Sequence, residues 1–212
     1  MFGAVDGYCE RLGPGLWAEP LNAVTNLAFL LAAVVMARRG RGLVLPLLLC
    51  AILGLIGLGS GLFHTVAQGW AGLADVIPIA LFILTYLYAA NRHFWRLSPV
   101  QAAGLTALFL PYAALTVPLF ARIPGLGSSA AYAPVPLLIL IYAALLRRRS
   151  PGTARRMAVG AGLLTLSLAA RVADLPFCGL WPTGTHFLWH ILNAVMLALM
   201  IEALIVHLKE AK

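Results

Sequence analysis

The sequence predicts an all-α membrane protein: a bundle of seven transmembrane helices with its N-terminus outside and its C-terminus in the cytoplasm. Three observations lead there. Of 212 residues, 62% are hydrophobic and only 10% charged, with a mean hydropathy of +0.93, a balance that a water-soluble domain of this size does not keep. Seven stretches approach the roughly 20 apolar residues that cross a bilayer, at 20–38, 43–63, 71–91, 99–119, 130–147, 156–174 and 186–207. Basic residues, finally, gather in alternate connections, as the positive-inside rule requires.

Each element follows from the same physics. In hydrocarbon every backbone N–H and C=O needs an internal partner, and long apolar runs without alternation exclude a barrel, so all seven stretches are helices. They use most of the chain, which is therefore expected to be one seven-helix membrane domain over 1–212, with 1–19 as an extracytoplasmic N-terminal segment. That segment has no basic start followed by an apolar run, so it does not read as a cleaved signal peptide and is expected to be retained and structured. Arg38, Arg39 and Arg41 follow the first stretch, Arg92 and Arg96 the third, and Arg147, Arg148, Arg149, Arg155 and Arg156 lie between the fifth and sixth. Lys209 and Lys212 end the chain, which places twelve of the fifteen Lys and Arg residues on one side. The net charge of +8 thus reports topology. Without a basic patch interleaved with aromatics it does not indicate a nucleic-acid partner.

Ionisable groups at membrane depth are costly, so each is a functional hypothesis. Ser60 and His64 are spaced i, i+4 on one face near the outer end of the second helix. Asp75 follows eleven residues after His64, in the first outer turn of the third helix. His186 and His190 are again i, i+4, at the outer end of the seventh. One such histidine alone is more often a hydrogen-bonded helix contact. Three with an open fourth position are the ligand set of catalytic zinc. His93 lies among arginines at the other end, and His207 lies about 25 Å along the helix from His190, so both are expected at the opposite interface. Glu202 has no evident partner, while Arg171 and Asp174 are expected to form an i, i+3 ion pair. Cys9 and Cys178 both fall on the outer side, where they either bridge or remain two free thiols; Cys50 reads as a buried apolar residue.

Ser60-x-x-x-His64, Asp75 and His186-x-x-x-His190, with the N-terminal DGYCERLGPGLWAEPLNAVTN, resemble the motifs of the alkaline ceramidase family, in the CREST superfamily. The resemblance spans essentially the whole chain and implies a zinc-dependent intramembrane hydrolase of a ceramide-like or other N-acyl lipid. It implies His64, His186 and His190 as zinc ligands, Asp75 and Ser60 as the catalytic pair beside the metal, and a Cys9–Cys178 disulfide. It also implies a calcium ion held by Asp6, Glu10 and Glu19, since hard carboxylate oxygens suit calcium. Here the sequence departs from the pattern: Asp6 is one residue further from Cys9, and Leu12 stands where an Asn ligand is expected. The alternative is that these carboxylates cap helices and pair with Arg11. The Ala, Leu, Gly and Arg content resembles a bacterial homologue, which implies a multi-pass protein of the bacterial inner membrane. The competing functional class is a receptor of the adiponectin-receptor and hemolysin-III-like branch, which shares the zinc constellation and places its N-terminus inside.

Overall fold

The computed structural model describes residues 3 and 5–210. Within them the chain is helical, and seven helical segments are long and apolar enough to cross a membrane: Pro20–Arg39, Val44–Val66, Gly69–His93, Pro99–Phe120, Gly127–Leu146, Pro151–Ala173 and His186–Glu210. These are the seven stretches expected from the sequence. Most run a few residues further, because a helix continues past the hydrocarbon into the interface when its flanking residues permit. Pro151, for example, starts the sixth span at its first helical position, where a missing N–H is not needed, and so draws Arg155 and Arg156 into the helix.

The spans pack largely in chain order: first on second, second on third, fifth on sixth and sixth on seventh, with the first also against the seventh. The second and seventh supply much of the buried interior, including Leu49, Leu53, Ile56, Ile201, Leu204 and Ile205, while Leu31, Leu55, Leu110 and Leu145 point outward. Since lipid is as apolar as leucine, burial does not drive these helices together; close packing through small residues does. A methyl group on Gly57 would lie 2.9 Å from Cβ of Phe29 in the first span, and one on Gly160 would lie 2.8 Å from Sδ of Met200 in the seventh. The tightest approach is at Gly59, where a Cβ would sit 2.0 Å from the carbonyl oxygen of Ala74 in the third span. Pro78 explains why that carbonyl is available. It lies inside the third span and brings no N–H to the carbonyl four residues before it, so the Ala74 oxygen faces Gly59 instead. This crossing brings Ser60 and Asp75, the residues adjoining Gly59 and Ala74, to the same level.

The N-terminal segment is tied to the bundle covalently and by hydrogen bonds. Cys9 and Cys178 form a disulfide across a sequence separation of 169 residues, and Cys50 is a buried free thiol. Asp174 does not pair with Arg171, contrary to the expectation from their spacing. Its Oδ2 accepts the Cys9 N–H at 2.9 Å, and its Oδ1 accepts the N–H groups of Thr185 and His186 at 2.8 and 2.9 Å. It therefore caps the start of the seventh span, where a carboxylate also meets the positive end of the helix dipole. Gly184 makes room for it: its φ is +65°, and a Cβ there would overlap Asp174 Oδ1. At the other end, Glu202 does have a partner, since Arg39 Nε donates to its Oε2 at 2.9 Å. His207 pairs with Thr153 at 3.1 Å.

Gly59→Ala is expected to destabilise the protein by about 1–3 kcal/mol through overpacking, read as a lower thermal midpoint in detergent. Gly54→Ala, on the same helix with nothing within 4 Å of a new Cβ, should leave the midpoint level or raise it. Non-reducing peptide mapping should recover Cys9 linked to Cys178, with Cys50 alkylated only after unfolding.

Candidate metal centre and active site

His64 closes the second span, and His186 and His190 open the seventh, so three imidazoles enter one buried layer from two helices. All three are at most 1% exposed, and each offers a ligand atom within 4.8 Å of the others. Their hydrogen bonds assign the tautomers. Nδ1 of His64 lies 2.6 Å from Glu19 Oε2; a carboxylate accepts, so this nitrogen carries the proton and Nε2 is left bare. Nδ1 of His190 lies 2.9 Å from Thr25 Oγ1, whose own hydrogen is directed to the Leu21 carbonyl at 2.8 Å, so His190 also donates through Nδ1 and keeps Nε2 bare. These two unprotonated nitrogens face each other at 3.1 Å. Two lone pairs at that distance repel unless an electrophile lies between them. Nδ1 of His186 is moreover buried with no partner. Nitrogen donors directed inward, with protons held outward by a carboxylate and a hydroxyl, fit a metal ion.

Sequence reasoning missed Thr25 and Tyr8, and found Glu19 in a different role. Thr25 ends the short helix Pro20–Thr25, and the chain turns at buried Asn26 before continuing as Leu27–Arg39. Tyr8 stacks on His186 with ring centroids 3.9 Å apart and lies 5.0 Å from the ring of His64. Burial, opposed by the charge of Arg171, pushes its phenol up to about 12, so it stays protonated. A lone tyrosine in a loop carries no sequence signal for such a role. Thr25 could have been found, since a hydroxyl in the first turns of a span beside a histidine helix is a common source of support.

The N-terminal carboxylates are committed elsewhere than to calcium. Glu10 accepts the backbone N–H groups of Leu21 and Asn22 at 2.6 and 2.8 Å, capping the first helix. Glu19 Oε1 pairs with Arg11 Nε, and Glu19 Oε2 takes His64 and the Asn22 amide. Burial raises the Glu19 carboxyl, but His64 and Arg11 together outweigh it and hold the group below its ordinary value. Arg11 also donates to the carbonyls of Gly13 and His64, at 3.1 and 3.3 Å. Asp6 and Leu12 are exposed. With a guanidinium already satisfying Glu19, and Asp6 outside the group, these residues as arranged do not fit a calcium ion. They cap a helix and pair with Arg11, as the alternative reading of the sequence has it.

Asp75 and Ser60 stand beside the histidines on the bundle's inner side. Ser60 is buried, one helical turn before His64, and lines the same cavity as Asp75. Two cavities meet here. One is narrow and almost wholly apolar; it is lined by Ser60 and Asp75 at one end and descends past Phe82, Tyr86, Leu138 and Met157 to Met200. The other, of about 520 Å³, is a polar vestibule between the N-terminal segment and the end of the sixth span, lined by Tyr8, Asp75, Ser128, Ser129 and Arg171 among others. Asp75 and Tyr132 line both.

Purified protein is expected to carry about one zinc per chain, measured by elemental analysis, and His64→Ala, His186→Ala or His190→Ala should lose it. Glu19→Gln, which removes the acceptor charge beside His64 Nδ1, should weaken zinc affinity by about 10- to 100-fold without removing a ligand. An unchanged affinity would show that Glu19 serves Arg11 alone.

Comparison with known proteins identifies the family of the chain. No individually curated protein matches the chain, but the profile of the ceramidase family matches residues 14–211, nearly its whole length. That match, over the same helices that carry the histidines and the two cavities, places the chain in the ceramidase family, enzymes that hydrolyse lipid amide bonds.

Proposed function

We propose that this chain is a zinc-dependent intramembrane hydrolase that cleaves the amide bond of a ceramide-like or other N-acyl lipid. The observation that carries the reading is the position of Asp75, beside the histidine cluster at the junction of an apolar cavity and a polar vestibule. An N-acyl lipid has the matching form, an apolar chain joined to a polar amine through the scissile amide. With the acyl chain in the apolar cavity, parting side chains such as Leu138 and Met196, the amide lies at Asp75.

Zinc bound to His64, His186 and His190 would supply Lewis acidity and a water that ionises near neutral pH. The chain's own residues do the rest. The Asp75 carboxylate accepts the proton of the attacking water and returns it to the leaving nitrogen, so that amide and water give fatty acid and amine. Ser60 Oγ donates to the carbonyl oxygen as charge develops there, in a site from which lipid and packed side chains exclude bulk water. Glu19 and Thr25 hold two imidazoles in the required tautomer.

The distribution of basic residues supports an N-terminus outside and a C-terminus in the cytoplasm, and the disulfide fits an oxidising outer compartment. The protein is then a multi-pass component of a bacterial inner membrane, with its active site in the outer leaflet. The same charge distribution weighs against the receptor-like branch.

If Asp75 is the proton acceptor, Asp75→Asn should retain zinc while amide hydrolysis in detergent micelles falls by roughly two to four orders of magnitude. Ser60→Ala should cost less, roughly one to three orders. Acyl transfer to Ser60, detected by mass spectrometry after brief exposure to substrate, would replace this mechanism with a serine nucleophile.

A further inference from the structure

Arg171 is a cation that the proposed chemistry leaves without a role. It lies near the end of the sixth span, and its side chain lines the polar vestibule that also reaches Asp75 and Tyr8. Its Nη1 donates to Ser129 Oγ at 2.8 Å and to Ser128 Oγ at 2.9 Å. The guanidinium carbon lies 5.5 Å from the ring centres of both Tyr132 and Trp189. These partners fix the plane and direction of the guanidinium, yet every one of them is neutral.

The guanidinium has no carboxylate in direct contact among the described residues. Asp174, three residues on, spends both oxygens on backbone amides. Asp75, at the vestibule's inner end, lines the same cavity as Arg171 but is not in ion-pair contact with it. Two hydroxyls and two aromatic faces hold the long Arg171 side chain in one orientation, which has an ordering cost. A rigid guanidinium fork is well suited to hold a carboxylate, sulfonate or phosphate through paired, charge-assisted hydrogen bonds.

We propose that Arg171 binds an anionic oxygen group on the amine half of the substrate, so that the preferred N-acyl lipids are those with a charged head group. This rests on the hydrolase reading and deepens it. The apolar cavity leaves Asp75 on one side and the vestibule leaves it on the other, so a group that reaches Arg171 belongs to the amine leaving group and not to the acyl chain. Tyr8 lines the same vestibule, and its hydroxyl offers a second donor to that group.

The test compares N-oleoyl glycine with N-oleoyl ethanolamine, which share acyl chain and amide and differ in a carboxylate against a neutral hydroxymethyl, with N-oleoyl taurine as the sulfonate arm. Zinc-loaded wild type should hydrolyse the glycine and taurine lipids with a kcat/KM about ten- to a hundredfold above the ethanolamine lipid, the worth of a charge-assisted pair. Arg171→Met should bring that ratio close to one, and Arg171→Lys should keep part of it. A preference that survives Arg171→Met would place the anion on the metal and overturn the proposal, as would a wild type that favours the neutral lipid. The same lipids are also measured for binding to Asp75→Asn protein, where the charged lipids should again bind more tightly. Equal binding there refutes the role of Arg171. A binding preference without any turnover by wild type refutes only the hydrolase reading.

Discussion

The close crossing of the second and third spans at Gly59 is the constraint from which the active site follows. Pro78 brings no N–H to the Ala74 carbonyl, and the absence of a side chain at Gly59 lets that carbonyl come within 2.0 Å of where a Cβ would be. Ser60 follows Gly59 and Asp75 follows Ala74, so the backbone contact puts hydroxyl and carboxylate together, and His64 stands one turn above Ser60. A bundle in lipid has no hydrophobic drive to hold such a crossing. Close approach of small residues supplies it.

A second layer of control comes from the segment before the first span. The disulfide to Cys178 and the Asp174 bonds anchor it over the histidines. From there Glu19 reaches His64 and Tyr8 covers His186. Arg11 completes the arrangement as an internal cation that balances Glu19 without an added ion. The carboxylate is thereby kept ionised, which is the form that can accept from His64 and hold its Nε2 free. Thr25 does the same for His190 with a neutral oxygen, at the cost of a break in the helix at Asn26.

The two cavities differ in chemistry. The apolar one, bounded by side chains of most spans, is continuous with the chemistry of lipid tails, while the vestibule under the N-terminal segment has charged and hydroxyl groups and an outlet toward water. Asp75 and Tyr132 are the residues that line both, so the boundary between the apolar and the polar space falls at Asp75.

Much of this was legible in the sequence, for a definite reason. Spans and their number depend on local composition, because a bilayer demands about 20 apolar residues per crossing whatever the neighbours are. The histidine pair at 186 and 190 and the face shared by Ser60 and His64 depend on helical periodicity alone, so they too could be read one helix at a time. What joins different segments could not. Arg171 and Asp174 are spaced to pair, yet Asp174 caps the seventh span and Arg171 turns to two serines at the start of the fifth. Glu202 finds Arg39 across 163 positions. Glu10 and Glu19, calcium ligands by resemblance, are a helix cap and a histidine-orienting group because Arg11 folds in between. Whether a charged side chain meets an ion, an amide or an arginine is decided by which helices are adjacent. That adjacency arises from packing of glycines and backbone carbonyls, for which a single sequence has no local signature.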